Sequence, residues 1–290
     1  MHYDFEHVTA DIPHILVDET TYTFEDKRQG TSLIVSTDPP QDGATPALVI
    51  GERIEQLREG YRGECAVIAE HDGHFLGMAA RTAALRLGAP GEELSMILLA
   101  AVGPHGATLI KLISANTGDR AEQLEHIVSG AAPASEPWIR ACAPGYTRRQ
   151  AGHFTLEVPS SLAPPTSFSF VSKDLSAKLA IQYKRDAAGQ DLPPFAQLVY
   201  LGDATKEALD AEAGGGREIQ VGGHPGWEGT WSLVRRNEGR EVARYVIQRL
   251  SLSIQPELSL EMLGVATPSG VAALGSAWSQ VLRTMQRGAT

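Results

Sequence analysis

The chain has 290 residues, 42% of them hydrophobic, and 35 Asp and Glu against 25 Lys and Arg for a net charge of −10. That length sets an expectation of two domains of about 100–200 residues each. The acidity argues against a nucleic-acid binder or a polybasic membrane-surface protein, and two distant cysteines, Cys65 and Cys142, against a disulfide scaffold or a cysteine zinc site.

The N-terminal stretch has neither the basic nor the apolar region of a signal peptide. The longest apolar runs, such as "SMILLAAVG", fall far below the roughly 18 residues that a membrane span needs. With reduced cysteines, this reads as a cytoplasmic protein without stable membrane insertion.

Two strands come first, "TYTFED" and "TSLIVS", in a hairpin turning at Arg28–Gly30. Alternation puts Tyr22, Phe24, Leu33 and Val35 at one parity. A helix follows, with Thr45 as N-cap, Pro46 as first helical residue, and the stripe Ile50, Ile54, Leu57 and Tyr61. Then come four strands, "CAVIAE", "FLGMAARTAALRL", "ELSMILLAAVG" and "ATLIKLISA", and a short helix carrying Leu124, Ile127 and Val128.

The second half repeats this order. Phe168, Phe170, Leu179 and Ile181 form the matching parity set, 146 residues after Tyr22, Phe24, Leu33 and Val35. A helix is expected from Pro194 through Leu198, Leu201 and Leu209, ended by "EAGGGRE", with Gly214–Gly216 as a flexible connector. Four strands follow: "REIQVGG", "WEGTWSLVRR", "EVARYVIQRLSLSI" and "LSLEMLGVA". The last helix has Thr267 as N-cap, Pro268 at N1, and the stripe Val271, Leu274, Trp278, Val281, Leu282 and Met285. At an offset of 150, Leu112, Ile113 and Thr117 meet Met262, Leu263 and Thr267, and Leu98 meets Gln248.

The chain therefore reads as α+β, two tandem domains of order ββ-α-ββββ-α, each a largely antiparallel sheet with flanking helices. The expected boundaries are 1–132 and 151–290, with the Pro/Ala/Ser-rich 133–150 as linker. Residues 1–145 hold 21 acids and 10 bases and residues 146–290 hold 14 and 15, which hints at docking between halves; drifting surface charge is the plainer reading. "MILLAAV" is apolar at both parities, so both sheet faces avoid water. Either helices cover both, or one is kept dry by the other half, another chain or an apolar client.

Catalytic motifs are missing: no GxSxG, HExxH or GxxxxGK[ST] occurs. "EHDGH", with His71, Asp72 and His74, reads as a solvated turn rather than a metal site, and Cys65 and Cys142 as packing residues. No cofactor is implied. Gln182 and Gln248, set in apolar strands, read either as edge positions or as hydrogen-bonding groups inside an apolar groove.

The stretches "FAQLVYLGDATKEALDAEAGGGREIQVGGHPGWEGTWSLVRR", "ARYVIQRLSLSI" and "LSLEMLGVATPSGVAALGSAWSQVL" resemble the PsbP-like α/β/α sandwich, and within it the DcrB-related family. A similar branch is the Eag-type chaperones of type VI secretion. The resemblance implies a non-catalytic chaperone or adaptor that shields N-terminal transmembrane helices of a secreted effector, and through it serves a secretion spike protein. The client would lie in a groove between two pseudo-symmetric domains of a monomer acting as a pseudo-dimer. Its implied client-binding face comprises Tyr22, Phe24, Leu33, Val35, Phe168, Phe170, Leu179 and Ile181, with Gln248. The alternative is an interaction or scaffold module of the same fold without a transmembrane client.

Overall fold

A computed structural model describes the chain except residues 6, 39–40, 61–63, 89–92, 105, 116–119, 135–140, 186–208, 238–239 and 289–290. Its contacts form two compact units. One is continuous, Glu19–Pro165; the other is split, Met1–Asp18 with Thr166–Thr290. This division differs from the boundaries drawn at 132 and 151. It also removes the charge asymmetry: residues 19–165 hold 18 acids and 12 bases, and the rest 17 and 13.

The chain opens with three short strands of the split unit, β1 (His2–Asp4), β2 (Val8–Asp11) and β3 (Leu16–Asp18). The continuous unit follows. Its main sheet is antiparallel, built from β4 (Tyr22–Asp26), β5 (Thr31–Asp38), β6 (Cys65–Phe75), β7 (Met78–Leu87), β8 (Leu94–Gly103) and β9 (Gly106–Ser114), in the order β4-β5-β9-β8-β7-β6. Helix α1 (Pro46–Gly60) starts where expected, because the Thr45 hydroxyl accepts the Leu48 N–H at 3.2 Å. Its residues Val49, Ile50 and Ile54 pack on Ala83, Leu85, Leu98, Ala100 and Leu109, with Leu57 alongside. Tyr61 lies outside the described residues.

The other face of this sheet carries Leu33, Leu112 and Ile97 side by side, and Val35, Ile110 and Leu99 beside them. Helix α2 (Arg120–Ser129) packs there with a small sheet of β10 (Ala132–Pro133), β11 (Tyr146–Ala151) and β12 (Phe154–Pro159). Phe154 meets Phe75 edge-on at 5.4 Å. Both faces are closed by the chain itself, which explains why β8 is apolar at both parities. Pro133 of β10 and all of β11 but Ala151 lie in the stretch expected as linker. The hairpin turning at Gly152, whose φ is +61°, was hidden by its Arg- and Gln-bearing first strand.

The "EHDGH" stretch is strand, not turn: it lies in β6, with Asp72 opposite Arg81, and the reversal comes at Leu76–Gly77, both with positive φ. Among the described residues no three His, Cys, Asp or Glu are grouped to hold a metal. No described helix is long and apolar enough to cross a membrane.

The split unit has a seven-stranded sheet. Its strands are β13 (Ser167–Ser172), β14 (Ala177–Arg185), β15 (Leu209–Val221), β16 (His224–Asn237), β17 (Arg240–Gln255) and β18 (Leu258–Ala266), in the order β15-β16-β17-β18-β14-β13-β3. The helix expected from Pro194 lies outside the described residues, except that Leu209 opens β15 as strand. Helix α3 (Val271–Thr284) follows a 3-10 turn at Pro268–Gly270, and β19 (Gln286–Arg287) closes the small sheet β1-β2-β19. Thr267 does not cap with its side chain; its hydroxyl donates to the Ser176 carbonyl at 3.3 Å instead. Leu274, Trp278, Val281 and Met285 are buried as expected, while Val271 is exposed on the first turn.

The hairpins that open the two sequence copies pair in matching registers, but each in the unit built mainly from the other copy. His2 opposite Asp11 and Tyr3 opposite Ala10 become, on adding 146, Arg148 opposite Glu157 and Arg149 opposite Leu156. Thr9 opposite Gln286 corresponds to Thr155 opposite Ala132. Val17 pairs with Val171, and its equivalent Ala163 bridges to Glu25. The hairpin that begins the first sequence copy thus completes the split unit, and the hairpin that begins the second completes the continuous one.

Candidate functional site

All eight apolar residues expected on an open client face are core, none more than 4% exposed. Tyr22, Phe24, Leu33 and Val35 lie on the face of the continuous unit that carries α2 and its small sheet. Phe168, Phe170, Leu179 and Ile181 lie under the N-terminal hairpin: Phe5 meets Phe168 at 4.7 Å and Tyr3 meets Phe170 at 5.0 Å, both edge-on. The expectation of exposed faces is corrected for both groups by this covering. The parity argument was right, but an apolar face says only that water is excluded, not by what.

The hairpin is held tightly. The Tyr3 hydroxyl donates to Asp18 at 3.0 Å, and burial, then the Asp18 charge, push its pKa well above the ordinary phenol range. The Asp11 N–H donates to the Thr284 hydroxyl at 2.9 Å, and the Gly288 N–H to the His7 carbonyl at 2.9 Å.

Gln248 shares the hairpin-covered face with Leu179, through Gly264 between them. It is half-buried, and its side-chain oxygen is buried without a hydrogen bond. Its ladder equivalent in the continuous unit is Ile97 rather than Leu98, since Leu33–Leu112–Ile97 corresponds to Leu179–Gly264–Gln248. The ladder therefore sets Leu112 against Gly264 and Ile97 against Gln248, not Leu112 against Met262 and Leu98 against Gln248 as the apolar spacing suggests. Gly264 lacks a side chain for a reason: a Cβ there would sit 2.7 Å from Leu274 and 3.3 Å from Trp278.

Gln182 stands on the opposite face, opposite Glu261. Glu261 is buried and accepts from Lys184 and Arg249, each at 2.8 Å. Burial alone would raise its carboxyl, but the two cations hold it below the ordinary range.

The same face carries the features that sequence reading missed. Strands β15, β16 and β17 have 13, 14 and 16 residues, against 11, 10 and 10 for their counterparts β6, β7 and β8. On this longer arm the Trp227 ring lies across two glycines. A Cβ on Gly216 would fall 1.9 Å from the ring, and one on Gly229 2.2 Å. The Gly214–Gly216 run is therefore no flexible connector; it lies within β15, and its last glycine, Gly216, makes room for an indole. Trp227 is 37% exposed and stacks obliquely on Trp231 at 5.4 Å. Trp231, Tyr245 and Leu263 in turn pack on Leu233, Ile247 and Val265.

At the arm's free end Arg236 and Arg240 are exposed, and Val242 is 54% exposed. Glu241 is held by Arg244 at 2.9 Å. In a chain of net charge −10 this end is basic and partly apolar. The signal available in sequence was the tryptophan–glycine alternation "GWEGTW" beside "GGG", which a search for catalytic motifs passes over.

No family model matches the chain, and no curated protein matches it. Among solved structures, the chain is similar to the immunity protein TplEi of the type VI secretion system of Pseudomonas aeruginosa complexed with the "L" peptide, at 12% identity over 99% of this chain and 97% of that one, with a TM-score of 0.45. It is similar to a chain of the Tle4–Tli4 complex at 10% identity, over 99% and 96%, with a TM-score of 0.42. A third likeness, covering 50% of this chain and 99% of the other, is to PA94, a protein of unknown function and putative regulator from Pseudomonas aeruginosa, at 22% identity and a TM-score of 0.30.

Proposed function

We propose that this chain is a non-catalytic protein-binding module of type VI secretion that takes an effector protein on the tryptophan–arginine arm of its split unit. The observation that carries the reading is Trp227, an indole seated on Gly216 and Gly229 and left open on one side, beside Trp231. Tryptophan and arginine dominate the energetics of protein interfaces, and a ring already fixed by its seat loses little freedom on binding. The exposed Arg236, Arg240 and Val242 lie at the far end of the same strands and give that end a charge that suits an acidic partner. The type VI context rests on the resemblance of the second repeat to effector chaperones. An apolar transmembrane helix is one chemistry that such an aromatic surface accepts, and in this form the chaperone reading places the client outside the closed sheet faces.

The test co-expresses the chain with the protein encoded beside it and measures the amount recovered in complex. Trp227→Ala should reduce recovery at least about tenfold, as loss of a central aromatic contact does, while Val67→Ala on the continuous unit leaves it unchanged. Equal recovery with the wild-type chain and Trp227→Ala would refute the reading.

A further inference from the structure

We propose that residues 1–18 are an exchangeable segment, and that the surface they cover on residues 166–290 binds the same segment from a second copy of this chain. This goes beyond the proposed partner surface, which lies on the other face of the sheet.

The argument starts from connectivity. Residues 1–18 are nowhere contiguous with 166–290, so non-covalent contacts alone hold them there. Those contacts are of two kinds. Main-chain pairing adds β3 to the edge strand β13 and β19 to β2. Side-chain packing seats Tyr3 and Phe5 on Phe170 and Phe168, with Val8, Ala10, Ile12 and Leu16 also buried. The hairpin is thus a ligand in the physical sense, delivered by the three-residue connector 19–21.

The contacts do not specify which covalent chain delivers it. The repeat makes this visible: the split unit takes the hairpin of the first copy in the register by which the continuous unit takes that of the second. A partner strand for β3 also exists within its own copy. With the same register it would set Val17 opposite Glu25, the place that Ala163 occupies, leaving residues 19–23 as a hairpin loop. A segment joined by a short connector to alternative sites that offer the same main-chain register is the condition under which chains exchange elements. The tether only sets a local concentration, in the millimolar range for a short link.

The experiment begins with the full chain, folded with a protease site inserted in 19–21 and then cut. Fluorescent peptide of residues 1–18 is added at about 10 µM, with native mass spectrometry as readout. The cut segment is expected to stay bound and then be replaced by labelled peptide. A peptide with Tyr3→Asp and Phe5→Asp should not enter, and the uncut chain should take up about a hundredfold less. In a second arm, two differently tagged full-length copies are refolded together at high concentration; a mixed-tag dimer is expected. Exclusion of the peptide from cut protein that keeps its strand signal would overturn the proposal, as would loss of that signal on cutting. Peptide uptake without any mixed dimer would overturn the assignment of a second copy as donor.

Discussion

Phe5→Ala should loosen strands that lie more than 160 residues away in sequence and leave its own sequence copy intact. Phe5 is 1% exposed, and its ring meets Phe168 at 4.7 Å, Tyr3 at 5.8 Å and Phe170 at 6.4 Å. Truncating a buried phenylalanine costs about 3–5 kcal/mol, of which the edge-on ring contacts account for about 1 kcal/mol. If the split unit opens as one body, the amides of β13, β14 and β18 should exchange hydrogen roughly a hundred- to several-thousandfold faster. Hydrogen exchange read by mass spectrometry resolves those peptides from β4, β5 and β9, which should not change. The mirror variant Phe154→Ala should give the converse, since that ring packs on Phe75 of the continuous unit. Faster exchange of β4 and β5 in Phe5→Ala, with β13 and β14 unaffected, would refute the exchanged architecture.

Other outcomes follow from single sites. Glu261→Gln leaves Lys184 and Arg249 without their buried counter-charge and should cost about 3 kcal/mol in urea unfolding; because its carboxyl is held low in the fold, the stability it gives is present at neutral pH and is lost as pH falls below about 4.5. Gly229→Ala drives a Cβ into the Trp227 ring, so the near-ultraviolet circular dichroism of the Trp227–Trp231 pair should collapse; an unchanged signal would show that the ring does not lie on that glycine. His224 is buried with its Nε2 unpaired, and burial, then Arg287, push its pKa down. The folded state therefore favours the neutral ring, and stability should fall as pH drops below about 6.5, a loss that His224→Gln should abolish between pH 6.5 and 5.5 in thermal unfolding.

Local patterns were legible wherever one physical cause dominates. The Thr45–Pro46 start of α1 and the stripe Ile50–Ile54–Leu57 came through because capping and amphipathicity act within a few residues. The turn at Gly30 and the alternation Tyr22–Phe24–Leu33–Val35 did so because a pleated strand sends alternate side chains to opposite faces. Less was legible at Thr267, where a nearby carbonyl outcompetes the cap, and at Gly214–Gly216, where flexibility and room for an indole look alike in one-letter code.

By itself the sequence determined that the chain is antiparallel and sheet-rich, with apolar faces that avoid water, because periodicity records which side chains must leave water. Only the tertiary structure decided what closes those faces: each unit is completed by a hairpin from the other copy of the repeat. The reason is that equivalent hairpins present the same main-chain registers to equivalent sheets, so backbone pairing by itself does not choose between them. The Trp227 surface was decided at the same level, since glycines on two neighbouring strands, Gly216 and Gly229, come together to seat one ring.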